Sequence, residues 1–400
     1  MTEILRQMLV SVGAAATVAT VPSLLELMLV TSGAVRRRVV PPQKEREDFS
    51  LAVIVPAHNE ELLIARCVAS LFASAANGTR CSVIVVADNC TDKTADRARE
   101  AGARVLNRED ASRRGKGFAL RFAFDTLMPE GFDAFLIVDA DSIVSANLVP
   151  EIVKGLMAGA EAIQARYRVA QDLDSNRHRL MDIALLAFNV LRPRGRSGWG
   201  LSAGIFGNGF AVSRQTLLDV PYSAESIVED LEYHLLLVSA RKKVWFADAA
   251  TVYGDMPNDA DAQSSQRARW EGGRVRVALS WIPRLVSGIR EGNFSLLETL
   301  LELLTLPLAY LAVIALVLCA LPFPAFRCYG AFLIVLLLVH VSCAIMLGGN
   351  RRKSIAALAT APVYVIWKLT RLGAILRAAT PQAQWLRTPR ASEKPEIPRV

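Results

Sequence analysis

An α/β fold, with a mostly parallel sheet carrying helices on both faces and membrane segments at either end, is what this chain of 400 residues predicts. Three observations lead there. Short apolar runs alternate with helical patterns between Leu51 and Asp139, the signature of parallel strands joined by crossover helices. Three of those runs end in polar punctuation, His58-Asn59-Glu60, Asp88-Asn89 and Asp139-Ala140-Asp141, and in such sheets ligands bind beyond the carboxyl ends of the strands. Finally, 52% of the residues are apolar and the mean hydropathy is +0.30, with the excess gathered at the two ends of the chain, more than a purely soluble protein carries.

Residues 8–30 form the first apolar stretch. A secretory signal peptide carries its charge ahead of the apolar core, whereas Arg36-Arg37-Arg38 follows it here; this favours an anchor with its carboxyl end inside. Residues 41–48 read as a polar linker and 51–56 as a buried strand stopped by Pro56. The pattern then predicts a helix over 60–75, a strand over 82–87, a helix over 91–101, a short strand over 104–106, a helix over 116–128 and a strand ending in Asp139. Further on, Ala278, Trp281, Ile282, Leu285 and Ile289 recur at helical spacing while Arg274, Arg284 and Arg290 fall elsewhere, as in an amphipathic helix at a membrane surface.

Two more apolar stretches, 303–323 and 329–347, read as spans, and Arg351-Arg352-Lys353 returns the second to the cytosol. The stretch from 355 is interrupted by Lys368 and Arg371 after a run too short to cross comfortably. It reads as interfacial or re-entrant, with a third span as the other reading. The resulting plan is an anchor over 1–40, a cytosolic α/β domain over 41–273, the amphipathic helix over 274–293, a C-terminal membrane region over 294–380 and a cytosolic tail over 381–400. The net charge of +8 fits a protein lying against anionic lipid, and basic charge alone gives no reason to propose nucleic acid. Cys67, Cys81, Cys90, Cys319, Cys328 and Cys343 lack metal or disulfide spacing and suit a reduced compartment. His178, His234 and His340 likewise lack ligand-like spacing and read as structural.

Asp139 and Asp141 carry the most chemistry. At i and i+2 of an extended chain two carboxylates share a face, and hard oxygen ligands there suit Mg²⁺ or Mn²⁺, which in turn holds a diphosphate. A strand giving way to a turn is the plainer reading of the same pattern. Asp88 and Glu60 offer acceptor-only oxygens to a nucleobase or ribose, while Asp92 is placed to cap the next helix. Arg114-Gly115-Lys116-Gly117 opens a helix where backbone N–H groups and the Lys116 ammonium can meet an anion. Gly207, Asn208 and Gly209 let a sugar approach the backbone, or form a bulged strand. Glu229-Asp230 begins a helical run and is at least a capping pair. Gln266, Arg269 and Trp270 lie at i, i+3 and i+4, one face of a helix; Arg269 can meet charge on a leaving group and Trp270 can offer a sugar ring a platform, or the two can anchor at a membrane surface.

Taken in order, these motifs resemble those of the family 2 glycosyltransferases, and among them the membrane-embedded branch that includes cellulose, chitin and hyaluronan synthases. The resemblance covers residues 51–270. It implies a GT-A, Rossmann-like domain and an inverting, metal-dependent transfer from a UDP-sugar to a polysaccharide or lipid acceptor at the cytoplasmic face of the inner membrane. It assigns Glu60 and Asp88 to the uridine half of the donor, with Lys116 and Asp139 completing the nucleotide-sugar site. Mg²⁺ or Mn²⁺ goes to Asp139 and Asp141, and the general base to Asp230 over Glu229. Gly207, Asn208, Gly209, Glu229, Gln266, Arg269 and Trp270 fall on the acceptor and diphosphate side. The membrane set is smaller than in the large synthases, so the oligochitin-type branch, a single addition to a lipid and an export partner all stay open. A membrane nucleotidyltransferase also needs a nucleotide pocket and a metal but has no use for Asp230 or Trp270. A non-catalytic scaffold is disfavoured by the intact set of acids, and a dehydrogenase by the absence of Gly-x-Gly-x-x-Gly after Val55.

Overall fold

The computed structural model describes residues 2–36, 48–75, 80–169, 176–224, 226–255, 260–349 and 351–370, apart from the side chains of Arg177, 260–269 and Trp367. The chain forms two compact units. One draws on Met1–Arg38, Leu173–Leu201 and Ser280–Leu372, the other on Val39–Asp172 and Ser202–Leu279.

The second unit is built on one sheet of strands β1 (Ser50–Ala57), β2 (Arg80–Asp88), β3 (Arg104–Arg108), β4 (Ala134–Ile137), β5 (Ser142–Val144), β6 (Ala162–Val169), β7 (Phe210–Ser213) and β8 (Val244–Gly254), in the order β3-β2-β1-β4-β7-β6-β8-β5. The strands β3, β2, β1 and β4 pair in parallel, as do β6 and β8, while β7 runs antiparallel to both its neighbours and β5 antiparallel to β8. The sheet is mixed with parallel pairings in the majority, as the expected mostly parallel sheet requires. Both faces of β1 are covered: Leu51, Val53 and Val55 pack into one apolar cluster, Ala52 and Ile54 into the other. Successive side chains point to opposite faces, so a strand buried on both sides reads as a continuous apolar run. The helices Ile64–Ala75 and Leu148–Met157 close the first face through Cys67, Leu71, Leu148 and Ile152. Lys116–Leu127 and Glu229–Ser239 close the second through Leu120, Phe124, Tyr233 and Leu237.

The other unit is helical. Glu3–Gly33 and Pro324–Met346 are each long and apolar enough to cross a membrane, and Leu27 packs there with Leu311, Ala315, Leu318, Leu333 and Leu337. Large apolar residues remain on the outside, with Val18 at 72% and Leu338 at 60% exposure, a surface suited to lipid. The single span expected over 303–323 is broken instead into Leu296–Leu304 and Leu308–Ala320, which meet at 71°. Pro307 explains the break, because proline lacks an N–H and disfavours helical backbone in the residue before it. The stretch after 350 forms two short helices, Arg351–Leu358 and Ala361–Thr370.

Candidate active site

The loop after β4 is held from both ends. It turns at once, with Ser142 N donating to Asp139 O at 3.0 Å. Asn208 brackets the turn, its Oδ1 accepting from Asp139 N at 3.1 Å and its Nδ2 donating to Ser142 Oγ at 2.8 Å. Buried Gln164 on β6 donates to the Asn208 carbonyl at 2.8 Å. With both ends of its amide engaged and 1% of its surface exposed, Asn208 positions the acidic turn instead of meeting an acceptor, as its place in the motif had led one to expect. The flanking glycines are required: Gly207 and Gly209 have φ of 75° and 71°, and a Cβ on Gly209 would stand 2.6 Å from Val252 Cγ2.

Gly207 also brings the chemistry together. Lys116, at the start of Lys116–Leu127, donates from Nζ to both Asp139 Oδ1 and Gly207 O. A Cβ on Gly207 would lie 3.6 Å from that Nζ and 3.3 Å from Asp230 Oδ2. Glu229 and Asp230 occupy the first turn of Glu229–Ser239, so residues from three distant parts of the sequence surround one point. Burial raises the pKa of both acids against the opposing pull of Lys116, that of Glu229 to about 8. Burial would lower the pKa of Lys116, but Asp139, Glu229 and Asp230 outweigh it and raise the value, so the group stays an ammonium. Tyr167 on β6 joins the cluster unannounced by any motif. Burial, then the charges of Asp141 and Asp139, keep its phenol protonated, and it hydrogen-bonds with Asn208.

A second group lies at the ends of β1 and β2. Asp88 is 5% exposed, and its Oδ1 accepts from Arg108 Nη1 at 2.6 Å and from Asn89 Nδ2 at 2.9 Å. Arg108 is the residue registered opposite it on β3, and its Nη2 donates to Asp110 Oδ2 at 3.1 Å. The His58 ring sits 2.7 Å from the Asp88 carbonyl. Glu60 follows on the same loop, its N–H donating to Thr94 Oγ1 at 2.7 Å. Asp92, expected to cap the next helix, stands one residue ahead of its N-cap Lys93, which makes no side-chain cap hydrogen bond, and accepts from Thr94 N at 3.0 Å.

The acidic turn fits a divalent cation. Asp139 Oδ1 is taken by Lys116 while Oδ2 accepts from no described residue, and Asp139 and Asp141 both help raise the pKa of the buried Tyr167 phenol. Among the described residues no group of three or more His, Cys, Asp or Glu could hold a metal. Two carboxylates with the remaining positions left to phosphate oxygens and water is how Mg²⁺ is commonly bound beside a substrate diphosphate. Trp270 lies in the long helix Ala260–Arg290 and is 42% exposed, so its ring is open to a ligand. The side chains of Gln266 and Arg269 lie outside the described residues.

The chain is 26% identical over 256 residues to the probable glycosyltransferase YdaM of Bacillus subtilis (strain 168), a match spanning 61% of this chain and 60% of that one. It is 33% identical over 109 residues to protein RfbJ of Shigella flexneri, which covers 27% of this chain and 78% of that one. In fold it is similar to the mannosyltransferase PcManGT from Pyrobaculum calidifontis, solved with GDP-Man and Mn²⁺, at a TM-score of 0.54 and 17% identity over 94% of this chain and 99% of that one. Residues 48–273 match the family described as glycosyltransferase like family 2. The chain belongs to that family and has the GT-A fold.

Proposed function

We propose that this enzyme transfers a sugar from a UDP-sugar to a polysaccharide or lipid-linked acceptor at the inner face of a membrane, with inversion at the anomeric carbon. The observation that carries the reading is the convergence of Lys116, Asp139, Gly207 and Asp230 on one point beside the acidic turn. Asp230, with its affinity for protons raised by burial, is suited to take the proton from an acceptor hydroxyl as that oxygen attacks the anomeric carbon. Lys116 opposes the negative charge that builds on the departing diphosphate. Asp139 and Asp141 would hold Mg²⁺ or Mn²⁺, whose contribution when bound is to neutralise the same leaving group. Trp270 offers its exposed face to a sugar ring of the acceptor.

The membrane setting is supported by the apolar helices Glu3–Gly33 and Pro324–Met346. Whether one sugar or many are added per encounter is read from products: a ladder on supplied UDP-sugar indicates repeated addition, a single shifted lipid species indicates one. The test of the reading is UDP release by detergent-purified protein across a panel of UDP-sugars with Mn²⁺. Asp141→Ala is expected to abolish release while the protein still folds and enters the membrane. Near-normal release by that variant would remove the metal assignment, and pyrophosphate in place of UDP would point to nucleotidyl transfer.

A further inference from the structure

We infer that Arg108 selects the base of the donor, admitting uracil and discouraging guanine, by dividing the two oxygens of Asp88. The inference rests on the reading of this site as a nucleotide-sugar site. A free carboxylate has two oxygens side by side and suits a pair of adjacent donors, as guanine presents with N1–H and its exocyclic N2–H. Uracil presents one donor, N3–H, between two carbonyl acceptors. Asp88 is not a free carboxylate. Its Oδ1 already accepts from Arg108 Nη1 at 2.6 Å and Asn89 Nδ2 at 2.9 Å, while Oδ2 accepts no hydrogen bond from any described residue.

What remains is one acceptor flanked by N–H donors. Uracil matches it, with N3–H on Oδ2 and a carbonyl toward the Arg108 and Asn89 N–H groups. Guanine would direct its second donor at an oxygen that is already doubly occupied, beside like-natured N–H groups, and an unpaired buried donor weakens binding. The division is rigid. Asp88 and Arg108 are registered cross-strand partners on β2 and β3, their side chains are 7% and 9% exposed, and Asp110 holds the other arm of the guanidinium at 3.1 Å. A planar fork gripped at both tips cannot swing away to free Oδ1.

A purely structural pair would affect all nucleotides alike, which makes the ratio of two affinities the informative quantity. Isothermal titration of the full-length protein in detergent, with Mn²⁺ present and UDP or GDP as titrant, is expected to give UDP at least about tenfold tighter than GDP. Arg108→Gln is expected to bring the two within about twofold, chiefly by weakening UDP. Should that variant fail to fold, Arg108→Lys keeps the charge and loses the fork, and is expected to narrow the preference. Wild-type protein that binds GDP as tightly as UDP, or a preference undiminished in the variants, would overturn this inference and leave the donor site standing. Failure of the wild type to bind either nucleotide would overturn both.

Discussion

Glu229 is the residue whose surroundings make the sharpest demand on the fold. It is buried beside Asp230 and Asp139, and Lys116 offsets only part of the cost, so its pKa rises from the ordinary glutamate value to about 8. The folded state therefore holds a proton that the unfolded chain gives up above its ordinary value. Stability contributed by the neutral form is complete below pH 4.5 and is lost as pH rises toward about 8. Glu229→Gln is expected to flatten that decline, so chemical denaturation at pH 5 and pH 8 should show a smaller difference in midpoint than in the wild type; an unchanged difference would mean Glu229 is ionised in place. The candidate site residues were legible because their types are few: Asp88, Lys116, Asp139 and Asp230 stand at strand and helix ends. Arg108, Gln164 and Tyr167 were not, because they reach the site through strand register, which depends on pairing between distant segments and leaves no local mark.

Among the elements, the apolar runs gave the first four strands, β1 to β4, and the helices between them with boundaries moved by a few residues, while β5 to β8 went unread. The helix expected from residue 60 begins at Ile64, since Asn59 adopts φ of 55° and a turn intervenes before regular helix. Hidden from the local pattern was the antiparallel β7, which enters the sheet through the Gly207-Asn208-Gly209 turn and carries Asn208 to the acidic loop. The break at Pro307 was visible as a residue, yet the apolar run around it masked its consequence. In the helical unit, Glu3–Gly33 lies against Arg192–Gly198 through glycine: a Cβ on Gly195 would be driven into the Val30 carbonyl, and one on Gly33 into the Trp199 ring. Gly195→Ala is expected to separate these helices and lower stability by about 1–3 kcal/mol, as overpacking does. Thermal unfolding in detergent checks it, and an unchanged midpoint would mean the helices are not held this closely.

At the scale of the whole molecule, the chain departs most from a simple anchor–domain–membrane sequence where Leu173–Leu201, between β6 and β7, joins the helical unit. Nothing in that segment's composition marks this, because a run of arginines is ordinarily a solvated face. Arg196 is instead 1% exposed and meets Glu26 at 2.7 Å, Glu302 at 3.2 Å and Glu298. One guanidinium thus ties together segments from three parts of the sequence. Arg196→Met is expected to cost about 3–5 kcal/mol, since it strands buried carboxylates without their counter-charge; a variant as stable as the wild type in detergent would show the acids to be neutral there. Transfer in this enzyme requires Asp230 to act on the acceptor while the donor is held by other groups. Donor affinity and transfer rate measured side by side for Asp230→Asn test this most directly. UDP-sugar should bind within about threefold of wild type while transfer falls about a thousandfold, and transfer at a near-normal rate with the donor bound would contradict it.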